Sequence, residues 1–170
     1  MAYHDLREFM AACEAAGEMV TIDREVDWNL EAGAISRRIA ELGAPMAHMR
    51  KIRGCPDGMS VLGSPISKGW HADFSRVALA LQMDPRTPYE KLVEEFVTRM
   101  SSPVRPIEVA TGPCKENTLR GTDINLFKFP APYLHMGDGG RYINTGGVTV
   151  VKDPDSHWTN WGVYRHMIHK

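Results

Sequence analysis

The sequence predicts an α/β (α+β) chain in two parts, an N-terminal α/β domain over residues 1–105 and a β-rich segment over residues 106–170. Three observations carry this. Apolar residues recur at helical spacing in four separate windows before residue 101, with strand-like runs between them. After Ser101 the helix signals stop, and Pro103, Pro106, Pro113, Pro130 and Pro132 interrupt the chain. From Tyr142 onward, runs rich in Val, Thr, Trp and Tyr are separated by Gly and Asp-Pro turns.

Each element has a local cause. Leu6, Phe9, Met10 and Cys13 fall on one face of a helix over Asp5–Ala16, and Gly17 stops it. The alternation of "EMVTIDREV" predicts a strand from Met19 or Val20 to Val26. Ala34, Ile35, Ile39 and Leu42 define a second helix over Glu31–Leu42 that ends at Gly43. Met46–Ile52 and Ser60–Gly63 read as a strand pair around the turn-forming Gly54-Cys-Pro-Asp-Gly58. Phe74–Leu81 reads as helix. Thr87-Pro-Tyr-Glu90 offers an N-cap, a proline at the first helical position and a glutamate three residues after the cap, which starts a helix from Tyr89 to Met100. The boundary between the parts is expected within about ten residues of Ser102. Beyond it lie the short apolar pieces Ile107–Val109 and Ile124–Leu126, a turn at Gly137–Gly140, a glycine-interrupted strand over Tyr142–Lys152, a turn at Asp153–Ser156 and a strand-like run from Trp158 to Met167.

Composition excludes several classes. The 20 basic and 21 acidic side chains leave a net charge of −1 with no charge run, so the sequence carries no electrostatic footprint for nucleic acid. No apolar run approaches a membrane span and the first residues do not resemble a signal peptide, so no membrane partner and a cytoplasmic location are expected. Cys13, Cys55 and Cys114 are odd in number and widely spaced, and are expected as buried or half-buried free thiols. The 10 methionines are expected mainly on apolar helix faces.

The candidates for chemistry are few. His4, His48, His71, His135, His157, His166 and His169 form no HExxH pattern. His166 and His169 have the spacing of helix neighbours in a run that reads as strand. Ser64, Ser67 and Ser75 lack a nucleophile-elbow setting, and Glu94-Glu95 reads as a solvated helix face. There is no GxGxxG after a strand and no Walker A sequence. Gly146-Gly147 suits either a close backbone approach to a phosphate or flavin, or a strand bulge. Asn160 and Arg165 are five apart and face opposite sides of a regular strand; a bend at Gly162 would bring them together. An asparagine oxygen is a hard ligand for Mg²⁺ or Mn²⁺, and an arginine beside aromatics clamps a carboxylate or phosphate. A surface arginine and a turn asparagine fit the same spacing.

The run Arg141–Asp155, "RYINTGGVTVVKDPD", followed by Trp158–Arg165, "WTNWGVYR", resembles the UbiD family of reversible decarboxylases that use prenylated FMN. The opening "YHDLREFMAACEAAGEMVTIDREVD" and the connection "GTDINLFKFPAPYLHMGDGGRYI" are similar to the same family, so the resemblance spans nearly the whole chain. It implies that residues 106–170 begin a split β-barrel related to flavin reductases. It implies that Asn160 ligates the divalent ion, Mn²⁺ or Mg²⁺, that bridges protein to the flavin phosphate, with K⁺ as a further ion. By the same resemblance, Trp161, Gly162, Val163, Tyr164 and Arg165 lie along the cofactor, and Arg165 is the catalytic arginine facing the substrate carboxylate. The implied partners are an aromatic carboxylic acid, CO₂, a flavin prenyltransferase that supplies the cofactor, and further copies of the chain in a homo-oligomer. The family's remaining metal ligands, a histidine and a glutamate, and its proton-delivering acid lie after the motif. His166 and His169 fall too early to replace that histidine. Because the sequence stops in a strand-like run, the chain is expected to be an N-terminal fragment that is inactive alone. The rival expectation is a natural short, non-catalytic binding or assembly subunit. A simple FMN reductase would need a nicotinamide site, for which the sequence offers no motif.

Overall fold

Residues 3–156 and 158–169 are described by a computed structural model; His157, Lys170 and the first two residues lie outside them. The first part runs α1 (Leu6–Ala15), β1 (Met19–Val26), α2 (Glu31–Leu42), β2 (Met46–Ile52), β3 (Val61–Gly63), α3 (Ser75–Ala80) and α4 (Tyr89–Met100). Asp5 caps α1 by accepting hydrogen bonds from the N–H groups of Arg7 and Glu8. Gly43, in a left-handed conformation at φ +61°, closes α2.

β1, α2 and β2 form a parallel crossover unit. Met19 pairs with Met46 and Val26 with Ile52, with a register shift between Ile22 and Glu25. β3 adds antiparallel to β2, Ala47 opposite Gly63, as the turn-rich Gly54–Gly58 connection predicts. α2 covers one face of this sheet through Ala32, Ile35 and Ile39, which pack with Val26, Ala47, Met49 and Ile52. A second cluster, Cys13, Met19, Met46 and Leu79, sits where α1 and α3 meet the sheet. The buried methionines Met19, Met46 and Met49 therefore lie on strands, where flat β-faces press against helices, and not on helix faces. All three cysteines are free, but Cys114 is exposed, because the segment around it never reaches the core.

α4 begins at Tyr89 with Pro88 at its cap position and no side-chain cap. The expected capping role of Thr87 fails because its hydroxyl donates to the Asp84 carbonyl at 2.6 Å, closing the preceding turn.

Between α4 and Tyr142 the described chain forms bends and three short 3₁₀ turns, at Pro113–Lys115, Gly121–Asp123 and Leu126–Lys128, with no named strand. Ile107–Val109 is exposed and unpaired by any strand, and Leu126 opens a 3₁₀ turn. Four strands follow: β4 (Tyr142–Asn144), β5 (Val148–Lys152), β6 (Thr159–Val163) and β7 (His166–Met167). The single strand expected over Tyr142–Lys152 is divided. The Gly147 N–H donates to Asn144 Oδ1 at 2.6 Å, which turns the chain so that β4 pairs with β7 and β5 with β6. The Trp158–Met167 run is divided likewise at Tyr164–Arg165. The Asp153–Ser156 turn forms as predicted, with the Asp153 N–H donating to the Trp158 carbonyl at 2.8 Å. The described residues thus make two separate two-stranded ladders.

The two parts meet along the backbone. The Tyr133 N–H donates to the Trp28 carbonyl at 2.9 Å and the Leu30 N–H donates to the Tyr133 carbonyl at 2.8 Å, an isolated parallel bridge. Leu134 backbone lies so close to Gly33 on α2 that a Cβ there would collide with it. Arg141 places its guanidinium 4.1 Å from the Trp28 ring centre and donates from Nε to the Ala131 carbonyl at 2.6 Å and from Nη2 to the Phe129 carbonyl at 3.1 Å. The Ile168 N–H donates to the Arg141 carbonyl, which carries β7 onto the same seat.

Candidate functional site

The residues singled out by sequence lie on and just after β6. Antiparallel pairing sets Val151 opposite Asn160, Val150 opposite Trp161, Thr149 opposite Gly162 and Val148 opposite Val163. Directly opposed residues share a face, so Asn160 and Gly162 stand with Val151 and Thr149 on one side. Trp161, Val163, Val148 and Val150 make the other side, which is apolar and exposed. Asn160 is half-buried, and its side chain makes no hydrogen bond to another described residue.

Gly162 stays in register within β6, so the bend expected there falls instead at Tyr164–Arg165. Its missing Cβ is used differently: the Tyr164 ring folds back into the space a side chain would fill. Arg165 is exposed between β6 and β7. The described residues hold no direct hydrogen bond between Asn160 and Arg165; Asn160 lies within β6 and Arg165 in the two-residue link between β6 and β7, which belong to different ladders.

The remaining candidates sort plainly. His166 pairs in β7 and accepts at Nδ1 from the Asn144 amide at 3.1 Å. Asn144 thereby uses its oxygen on Gly147 and its nitrogen on His166, which makes Gly146-Gly147 the turn between β4 and β5 and no bulge within one strand. His135 is an exposed loop residue 3.6 Å from Asp138. The Ser156 hydroxyl and the Asp155 N–H hold the Asp153 carboxyl below the usual carboxylate range, at the hairpin tip away from Asn160. No group of three or more His, Cys, Asp or Glu side chains among the described residues is arranged to hold a metal ion. Glu94 and Glu95 pair with Lys91 and Arg99 on the surface of α4. Burial pushes the Cys13 thiol up to about 11, which makes it inert.

Sequence reasoning missed Thr149. Its Oγ1 is buried and has no hydrogen-bond partner among the described residues. The available signal was only a threonine inside the valine run "VTVV"; its pairing with Gly162 comes from the structure. An uncommitted amide oxygen at Asn160 and an orphaned hydroxyl at Thr149 on one face fit a group that both binds a cation and accepts hydrogen bonds.

Two family models match the chain. Residues 10–96 match the model of the 3-octaprenyl-4-hydroxybenzoate carboxy-lyase N-terminal domain, and residues 105–170 match that of the 3-octaprenyl-4-hydroxybenzoate carboxy-lyase Rift-related domain. The chain belongs to the UbiD family. It is 38% identical to the pyrrole-2-carboxylic acid decarboxylase of Pseudomonas aeruginosa and 35% identical to ferulic acid decarboxylase 1 of Candida dubliniensis, in each case over 96% of this chain and 34% of the relative. Among solved structures, the open form of Sedimentibacter hydroxybenzoicus vanillic acid decarboxylase superposes with a TM-score of 0.85 at 32% identity, over all of this chain and 36% of that one. An evolved dimeric form of the UbiD-class enzyme HmfF from Pelotomaculum thermopropionicum, in complex with prFMN, gives 0.77 at 26% identity over 96% of this chain and 35% of that one. The chain therefore spans about a third of the length of the relatives it matches. No helix among the described residues is long and apolar enough to cross a membrane.

Proposed function

We infer that the chain is the N-terminal portion of a reversible, non-oxidative decarboxylase of aromatic, in particular hydroxyaryl, or α,β-unsaturated carboxylic acids that works with prenylated FMN. Residues 1–105 are its α/β domain and residues 106–170 the first strands of a split β-barrel that later residues complete. The observation that carries this reading is the half-buried, uncommitted Asn160 on the β6 face, within a segment matched by the UbiD family model. The relatives named for pyrrole-2-carboxylic, ferulic and vanillic acids support an aromatic acid as substrate and CO₂ as the other product.

When bound, the modified flavin supplies the electron sink that loss of CO₂ from an sp² carbon requires. This chain's own residues do the rest of the work assigned to them. Asn160 Oδ1 is the hard oxygen that would hold a divalent ion, Mn²⁺ or Mg²⁺, accompanying the cofactor, with K⁺ as a further ion. Gly162 makes room for the Tyr164 ring, and Trp161, Gly162, Val163 and Tyr164 would line the cofactor and shelter it from water. Arg165, exposed between β6 and β7, pairs with the substrate carboxylate and orients it for departure. With one metal ligand and one catalytic arginine, the 170-residue chain does not turn over alone. A flavin prenyltransferase supplies the cofactor, and the working protein is a homo-oligomer in the cytoplasm.

The test is expression of the whole gene product beside a flavin prenyltransferase, reading intact mass, bound cofactor mass and metal content from one sample. Prenylated FMN with Mn²⁺ is expected, together with loss of bound metal in Asn160→Ala and loss of decarboxylation with cofactor retained in Arg165→Ala. A product that carries neither flavin nor metal would overturn the reading in favour of a non-catalytic assembly subunit.

A further inference from the structure

We propose that Asn144 and His166 are the positioning residues of Arg165, holding fixed the link from which its guanidinium reaches the substrate carboxylate. This rests on the decarboxylase reading above and adds to it two side chains from β4 and β7. Arg165 is exposed, and its side chain makes no hydrogen bond or ion pair with another described residue, so its aim depends on the backbone that carries it. That backbone is short. Tyr164 and Arg165 alone cross from Val163, which pairs with Val148 in one ladder, to His166, which pairs with Asn144 in the other. Thr145, Gly146 and Gly147 cross the same gap from Asn144 to Val148. Two links thus run between the same two ladders, and the Asn144 amide is bonded at the end of each. Its Oδ1 accepts from the Gly147 N–H at 2.6 Å, and its Nδ2 donates to His166 Nδ1 at 3.1 Å.

The chemistry of the amide leaves one arrangement. A backbone N–H can only donate, so the Asn144 atom facing Gly147 is the oxygen and the atom facing His166 is the nitrogen. The imidazole therefore accepts at Nδ1 and carries its proton on Nε2. The residues beyond His166 are seated without this bond. Met167 lies over Gly139 and Gly140, where a Cβ would come within 3.2 Å and 3.1 Å of its sulfur, and Ile168 is buried with its N–H on the Arg141 carbonyl. His166 is the exposed step between that seat and Arg165, and the Asn144 amide ties it to the neighbouring link. Breaking the tie frees the carrier of Arg165 while β7 keeps its place, and small displacements of a group that orients a reacting carboxylate cost large factors in rate.

The experiment uses the whole gene product loaded with its cofactor, with vanillate, ferulate and pyrrole-2-carboxylate as probes. For each acid that wild type decarboxylates, kcat/KM is measured together with the inhibition constant of the CO₂-free product, which offers Arg165 no carboxylate. His166→Phe keeps a ring and removes the acceptor, and Asn144→Leu removes both contacts of the amide. Each is expected to lower kcat/KM about ten-fold or more. Cofactor content and the product's inhibition constant are expected to stay at wild-type values. His166→Asn returns an acceptor oxygen close to the place of Nδ1 and is expected to recover most of the loss. Three results overturn the assignment: unchanged kcat/KM in His166→Phe, an equal weakening of acid and product, or His166→Asn no better than His166→Phe. Wild type that decarboxylates none of the three acids, or Arg165→Ala that keeps wild-type turnover, overturns the decarboxylase reading itself, and this assignment with it.

Discussion

Arg76 Nη1 meets Glu18 Oε2 at 2.9 Å with both side chains sealed from solvent. The pair is fully furnished. The Trp70 and His71 N–H groups and the Ser75 hydroxyl donate to the carboxylate, while the guanidinium donates to the carbonyls of Ala44, Pro65, Ser67 and Lys68. It pins the 64–76 loop to the start of β1. Arg76→Met strands a buried carboxylate and is expected to cost about 3–5 kcal/mol, with Glu18→Gln costing less because the amide oxygen keeps some of its donors. Urea denaturation checks the order.

The same pair sets an acid limit. Burial pushes the Glu18 carboxyl up, but the Ser75 hydroxyl, the N–H groups of Trp70 and His71 and the Arg76 charge outweigh it and hold the group below the usual carboxylate range. A lowered folded value means that the carboxylate's contribution is complete above the unfolded value of about 4.3 and is lost as pH falls through the lower folded one. Stability measured from pH 6 to pH 3 should therefore fall more steeply in wild type than in Glu18→Gln.

Gly33→Ala places a methyl against the Leu134 backbone, which has no side-chain freedom with which to yield. A loss of about 1–3 kcal/mol is expected, despite alanine's better helix propensity. Gly146→Ala, where nothing lies within 4 Å of the new atom, is the tolerated control. Thermal melts of the two compare them directly.

Arg141→Lys gives up the stack on Trp28 and the two-carbonyl fork that a point-charge ammonium does not reproduce. About 2 kcal/mol of local stability is expected to go. The distinguishing readout is amide exchange: protection should fall in β4 and β7 and hold in β1 and β2.

Thiol labelling at pH 8 should follow burial. Cys114, exposed, reacts first; Cys55, half-buried, is slower; and Cys13, buried with its thiol pushed up to about 11, reacts only on unfolding. Mass spectrometry of timed samples gives the order.

The first hundred residues were legible because their signals are local. Leu6, Phe9, Met10 and Cys13 repeat with the helix, Gly17 and Gly43 stop helices, and the elements fall where those spacings put them. What escaped depends on residues far apart. Nothing near Glu18 announces that its carboxylate is buried, since the partner Arg76 lies beyond one helix and three strands, in α3. After Tyr142 the glycines were visible, but not that Asn144 would spend its oxygen on Gly147 and send two halves of one run into different ladders. At the candidate site the motif from Asn160 to Arg165 stood out by residue type. Thr149 did not, because its orphaned hydroxyl exists only once the register sets it opposite Gly162.

The seat formed by Trp28, Leu30 and Gly33 has a consequence for how the chain is made. These residues belong to the β1–α2 crossover, whose partner strand β2 follows at once, so the seat is complete while Tyr133, Leu134 and Arg141 are still untranslated. The β-rich half is thus delivered onto a finished template, and its glycine- and valine-rich strands have a place to dock as soon as they emerge.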